Sequence, residues 1–217
     1  MLPKQYFTFF KGLEKNNSKA WFDEHRDEYE KFVKEPFRAL VQELIEKIRT
    51  VDPLVQMDAK DAVFRINRDI RFAKDKSPYK THMGAHISRH GRKAIGHPGF
   101  YFEVNARGGA VGGGCYQPDA EHLAALRDLI MHEGTDFKKA TTAAFKKTYG
   151  ELRGERSKTV APEHKEAAVK QPLLFNKQFY WWADLPQSVY TDPKCVATLF
   201  SYYKAARPMQ EFFERAF

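Results

Sequence analysis

After Asn16-Asn17-Ser18, residue types that cap helices, apolar side chains return every three or four positions. They stand at Trp21/Phe22, Tyr29, Phe32/Val33, Phe37, Leu40/Val41, Leu44/Ile45 and Ile48. That spacing places them on one buried helix face, so residues 5–50 are expected to be helical. Pro36 lacks a backbone donor and predicts a kink, or a break and restart, at its position.

From Ala62 to about Tyr116 the period changes to two. Ala62, Phe64, Ile66, Ile70 and Phe72 alternate with Val63, Arg65, Asn67, Asp69 and Arg71. Beyond a loop over 73–78, Tyr79, Thr81, Met83, Ala85 and Ile87 alternate with Lys80, His82, Gly84, His86 and Ser88. A third run sets Phe100, Phe102 and Val104 against Tyr101, Glu103 and Asn105, and Gly108–Gly114 follows as a fourth strand or its lead-in. Short connections favour antiparallel pairing.

Pro118-Asp119 opens a helix to His132, and Asp136–Tyr149 reads as another. The stretch 150–177 is charged and lacks a period, Phe179–Leu185 reads as a further strand, and Asp192-Pro193 starts a helix to about Ala206. Pro208 is expected to begin a last short helix. The fold class that follows is α+β. Its mainly antiparallel central sheet has strands within 62–116 and near 179–185, packed by N-terminal, middle and C-terminal helices. With no repeat and no linker, residues 1–217 are expected to form one domain.

Composition narrows the setting. A hydrophobic fraction of 42% supports a packed core, and no run is long and apolar enough for a membrane span. The first residues lack the form of a signal peptide. Cys115 and Cys195 show no ligand spacing and read as reduced thiols, which points to the cytoplasm. The net charge of +8 is unevenly spread. Between Lys60 and Lys93, ten Lys or Arg stand against Asp61, Asp69 and Asp75, leaving +7 there and +1 elsewhere. A local excess of this kind fits an anionic partner, or a cluster neutralised by acids elsewhere in the fold.

Strand geometry turns that excess into a face. Arg65, Asn67, Asp69 and Arg71 would point one way, joined by Lys80 and His82 from the next strand and by Glu103 and Tyr101 from the third. Arginine and lysine offer fixed charge to a phosphate or carboxylate, and Asp69, His82 and Glu103 are the candidate acids and bases. A solvated polar face is the bland alternative. Arg68 falls on the apolar side and needs a carboxylate partner, unless the strand bulges at Asn67 and aims it at the site. In the loop, Lys74, Lys76 and Lys80 surround a turn and Tyr79 could stack on a base or sugar.

Other motifs carry less. Histidines 82, 86 and 90 stand four apart, but on a strand such residues are about 13 Å apart, so one ion cannot take two of them and no metal site is expected. Gly108–Gly114 lacks the Lys-Ser/Thr of a phosphate loop, and its glycines are expected to admit a bulge or a close backbone. The residues leave the question of a cofactor open.

Several segments resemble the bacterial family catalogued as domain of unknown function 2461. They are Asn16-Asn17-Ser18-Lys19-Ala20-Trp21-Phe22, Phe64-Arg-Ile-Asn-Arg-Asp-Ile-Arg-Phe-Ala-Lys-Asp-Lys-Ser-Pro-Tyr-Lys-Thr-His82, Gly99-Phe-Tyr-Phe and Gly112-Gly-Gly-Cys-Tyr-Gln-Pro118. The resemblance implies an α+β fold and marks Arg68 to His82 as the signature block. It brings no catalytic roles with it.

The leading functional expectation is a phosphate-bearing or other anionic ligand, a nucleotide or small metabolite, held on the basic sheet face with acid/base chemistry open. One alternative is a non-enzymatic module that binds nucleic acid. The other is that the basic block is a structural ion-pair network.

Overall fold

Helix formation follows the apolar spacing from the first residues. The computed structural model describes residues 1–217. It begins with α1 (Lys4–Lys15), α2 (Lys19–Glu24) and α3 (Arg26–Glu28), followed by a π-helical stretch Tyr29–Lys34, α4 (Glu35–Arg49) and α5 (Ala59–Ala62). The strands β1 (His82–Ile87), β2 (Phe100–Asn105) and β3 (Gly108–Cys115) come next. They lead to α6 (Ala120–His132), α7 (Gly134–Ala140), α8 (Ala143–Tyr149), α9 (Lys165–Lys170), β4 (Phe179–Pro186), α10 (Gln187–Thr191) and α11 (Cys195–Glu214). The four strands form an antiparallel sheet in the order β1-β2-β3-β4, and the fold is α+β. No helix is long and apolar enough to cross a membrane.

Two compact units emerge. The first comprises Met1–Arg92, Tyr101–Val111 and Asp184–Phe200. Its core is built from Tyr6, Phe7, Phe10 and Leu13 of α1 and from Phe37, Leu40, Val41, Leu44, Ile45 and Ile48 of α4. These meet the apolar side of β2: Phe37 lies 5.4 Å from Phe102, and the Tyr6 hydroxyl donates to the Val104 carbonyl at 3.0 Å. Each such side chain contributes about 1.5–3 kcal/mol by leaving water. Ser18 caps α2 by accepting from Trp21 N. Pro36 sits in the first turn of α4, directly after the π-helical stretch; the helical backbone runs on through Lys34 and Glu35, so the chain passes the proline without a break, and the π turn takes up the donor it lacks.

The second unit comprises Lys93–Phe100, Gly112–Ala183 and Ser201–Phe217. Trp181 packs edge-on against Phe145 at 5.5 Å, and Phe179 lies 5.8 Å from Phe213. Gly114 has φ +102°, and a Cβ there would stand 2.2 Å from the Phe179 carbonyl. Only glycine allows this close approach, as the glycine run suggested.

Two expectations need correction. Ala62–Phe72 does not form a regular strand. Phe64 N donates to Gly84 O, Lys80 N to Ile66 O and Arg68 N to Pro78 O, an irregular antiparallel ribbon with isolated bridges at Val63–Ala85 and Asn67–Tyr79. Beyond Arg68 the chain leaves the ladder altogether, and Phe72, assigned to the apolar face, is 95% exposed. The cause is local: Asp69 accepts from Arg71 N, and Asp75 accepts from Ser77 N and Oγ. Turns closed by aspartate in this way compete with strand pairing. Secondly, Pro208 lies inside α11 rather than starting a new helix. Tyr203, Ala206, Met209, Phe212 and Phe213, all buried, lie on both sides of it and outweigh the one backbone bond it forgoes.

Candidate functional site

The polar side of β1 and β2 in the first unit gathers part of the expected constellation. Alternation along β2 buries Phe102 and Val104 and leaves Tyr101 and Glu103 half-buried on the opposite face. The Tyr101 hydroxyl donates to Glu103 Oε2 at 2.6 Å, and the same oxygen lies 3.7 Å from His82 Nε2 at the start of β1. Gly84 makes room for this: a Cβ there would stand 2.9 Å from the Tyr101 hydroxyl.

Cations border that group. The ribbon brings Phe64 and Arg65 beside Lys80, whose Nζ lies 5.2 Å from the centre of the Phe64 ring. Arg92 returns to the same ring, its Cζ 5.5 Å from the centre, while its guanidinium donates to the Val63 carbonyl. Tyr101 lies 6.3 Å from Phe64. Arg65, Lys80 and Arg92 form no ion pair with a carboxylate, in contrast to Arg68 with Asp75, Arg71 with Asp69 and Arg89 with Asp52.

Burial and neighbouring charge shape the titration of the group. Lys80 is held below its ordinary value, first by burial, then by Arg65 and Arg92, with Glu103 opposing. Burial also depresses His82 against the pull of Glu103, so its imidazole is neutral at pH 7 and can accept a proton. Tyr101 is pushed up by burial and by Glu103, and it keeps its proton as a donor.

The remaining expected residues lie elsewhere. Asp69 is exposed and ion-paired with Arg71, which holds its carboxyl down at about 2. Arg68 has found the carboxylate it needed in Asp75, held well below the usual range by Ser77 and Arg68. Lys76 donates to the Ile70 carbonyl, and Lys74 and Asn67 are exposed. Tyr79 corrects the expectation of a stacking platform. It is 6% exposed and lies 4.1 Å from Phe22 in a parallel stack, where no ligand reaches its face.

Residue-level reading missed the part played by Arg92, Phe64 and Asn17. The Asn17 amide donates to Tyr79 O at 2.9 Å and accepts from Tyr79 N at 3.1 Å, a two-point clamp that imitates a strand partner. The helix-capping signal had pointed to this residue for another reason. The histidines diverge: His86 is buried against the Arg92 carbonyl, and His97 lies in the second unit beside His122. No three His, Cys, Asp or Glu side chains converge as ligands of one metal ion.

Comparison with known proteins adds one family. The pattern of the conserved hypothetical protein family DUF2461 matches residues 5–212. No curated protein and no solved structure matches the chain.

Proposed function

The chain belongs to the DUF2461 family, and on that footing we propose that it binds a phosphate-bearing anion, a nucleotide or small metabolite, at Arg65, Lys80 and Arg92. His82, Glu103 and Tyr101 stand beside that anion to accept, relay or donate a proton. The observation that carries the reading is the contrast in pairing. Three cations crowd one another closely enough for Arg65 and Arg92 to depress Lys80, with no carboxylate paired to any of them. Crowded like charge costs stability, and an oxyanion relieves that cost while gaining charge-assisted hydrogen bonds of about 1.5–3 kcal/mol each. Phe64 and Tyr101 supply the low-polarity floor on which such contacts strengthen.

Asp69, Arg68 and Arg71 belong, in this reading, to the bracing of the loop rather than to the chemistry. The structural account of the basic block is therefore favoured for that part alone, by the pairs Arg68–Asp75 and Asp69–Arg71. The two unpaired, buried thiols support a reducing compartment, and we assign the protein to the cytoplasm on that basis.

Calorimetry and thermal shift with inorganic phosphate, pyrophosphate and a panel of nucleotides and phosphorylated metabolites test the proposal. At least one is expected to raise Tm in wild type, with affinity reduced ten-fold or more in Arg92→Ala. If millimolar concentrations of every member leave Tm and heat unchanged, the anion site is wrong.

A further inference from the structure

We infer that the loop Asp69–Ser77 is the stacking arm of a site for single-stranded nucleic acid, with Phe72 as the platform for a base and the strand's phosphates following Arg65 to Lys80 and Arg92. The inference rests on the anion-binding reading above and extends it from a small ligand to a polymer.

Phe72 is the first reason. At 95% exposure it leaves more of its surface in water than any other large apolar side chain of the chain. The loop does not collapse around it, because polar contacts within the loop set its shape. Arg68 pairs with Asp75, Asp75 accepts from both donors of Ser77, and Lys76 holds the Ile70 carbonyl. Arg71 grips both Asp69 oxygens and sets its guanidinium 5.9 Å from the centre of the Phe72 ring. Both acids of the loop are thus occupied internally, while Lys74 remains exposed. A braced loop that presents a bare aromatic ring beside cations is the arrangement on which unstacked bases settle.

Continuity is the second reason. Arg65 lies near enough to Asp69 to help lower its pKa, and near enough to Lys80 to depress that group, which Arg92 depresses in turn. Arg65 therefore stands between the loop and the cations of the sheet face. Phe72 makes no ring contact with Phe64 or Tyr101, so the platform stands apart from the cation cluster. A ligand that meets both must repeat phosphate and aromatic base along its length. Base stacking on Phe72 requires an unpaired base, which excludes a closed duplex. A lipid surface fits less well: Lys80 is half-buried and Arg92 is tied to Val63 O, recessed where a flat headgroup layer does not reach. One inserted phenylalanine is also a weak anchor.

The test is fluorescence anisotropy of labelled twelve-nucleotide oligo-dT and oligo-U at 50 mM salt, with pyrophosphate binding followed on the same proteins by calorimetry. Wild type is expected to bind an oligonucleotide, with log K falling against log salt at a slope near −2, about −0.7 for each of three phosphates contacted. Phe72→Ala is expected to weaken the oligonucleotide roughly ten-fold, as the loss of one stacked base does. The same variant should leave pyrophosphate and Tm unchanged, and Phe72→Tyr should restore binding. Arg92→Ala is expected to weaken both ligands. If pyrophosphate binds but no oligonucleotide does, or Phe72→Ala binds oligonucleotide as wild type does, this inference falls and the anion site stands. If neither ligand binds, both fall. Sedimentation with vesicles containing phosphatidylserine, in place of oligonucleotide binding, would reassign the loop to a lipid surface.

Discussion

The loop Asp69–Ser77 and the sheet face at Lys80, His82 and Arg92 come from one continuous basic block, yet they treat charge in opposite ways. In the loop each arginine at hand is matched to an aspartate within the block, Arg68 to Asp75 and Arg71 to Asp69. On the sheet face Arg65, Lys80 and Arg92 stand together without one, and half-buried Lys80 is depressed by the other two. The difference teaches that a run of positive residues has no single meaning. Local pairs two to seven residues apart shape a turn, whereas cations brought together by long-range pairing, with no carboxylate paired to them, leave a site for an anion from outside.

The sharpest way to break that contrast is at Tyr79, which sequence alone groups with the loop and packing assigns to the core. Tyr79→Ala removes a ring stacked on Phe22 and is expected to destabilise the protein by about 3–5 kcal/mol, the usual cost of emptying an aromatic core position. Urea unfolding measures it, and Phe72→Ala, five residues from the end of the same loop, serves as the control with a change within about 0.5 kcal/mol. Equal effects from the two would erase the distinction between loop and core.

Lys80 tests the other side. Lys80→Met keeps an apolar stem of similar length while removing the charge that lies 5.2 Å from the centre of the Phe64 ring. Pyrophosphate affinity is expected to fall at least ten-fold, while the urea midpoint stays level or rises, because the crowding by Arg65 and Arg92 is relieved. A structural network would respond the opposite way, losing stability with no ligand to lose. A smaller effect is expected at Asn17. Its amide satisfies both backbone groups of Tyr79, and Asn17→Ala should cost about 1–2 kcal/mol in the same unfolding experiment, at about 1 kcal/mol per bond.

Most of the fold was legible in the sequence because its determinants are periodic. The alternation of Phe100, Phe102 and Val104 against Tyr101, Glu103 and Asn105 reads directly as the two faces of β2, and Asp119 caps α6 as its position announced. The candidate site was half legible. Arg65, Lys80, His82 and Glu103 were found by strand register, but Arg92 reaches Phe64 through the turn after β1, which carries no periodic signal. Tyr79 misled because an aromatic amid lysines has the composition of a ligand platform. Its burial depends on Phe22 and on an amide 62 residues away. The alternation through Ile70 and Phe72 misled for the opposite reason: it is real in the sequence, and the aspartate turns at Asp69 and Asp75 override it.

Acid unfolding offers the subtlest separation of loop from sheet face, because the two regions titrate in different windows. Burial holds His82 and its neighbour His86 below 6.5 in the folded protein, while the unfolded chain takes up these protons at about 6.5. Below 6.5 the unfolded state therefore binds more protons, and stability is lost as pH falls from 6.5 toward the folded values. Asp69 and Asp75 act in the same sense but at lower pH. Their folded values lie below 3.8, near 2 for Asp69, so their contribution is complete above 3.8 and is lost only as pH falls through the folded values. The urea midpoint is thus expected to decline between pH 7 and 5 in wild type, and to decline less in His82→Gln, whose side chain does not titrate. Asp75→Asn should leave the slope in that window unchanged and alter it only below pH 4. A phosphate-bearing ligand adds a further mark: negative charge beside His82 raises its pKa, so saturating pyrophosphate should flatten the decline in wild type and do little in His82→Gln. Should His82→Gln and wild type decline alike with and without pyrophosphate, His82 would lie outside the site, and the acid/base group beside the cations would shrink to Glu103 and Tyr101.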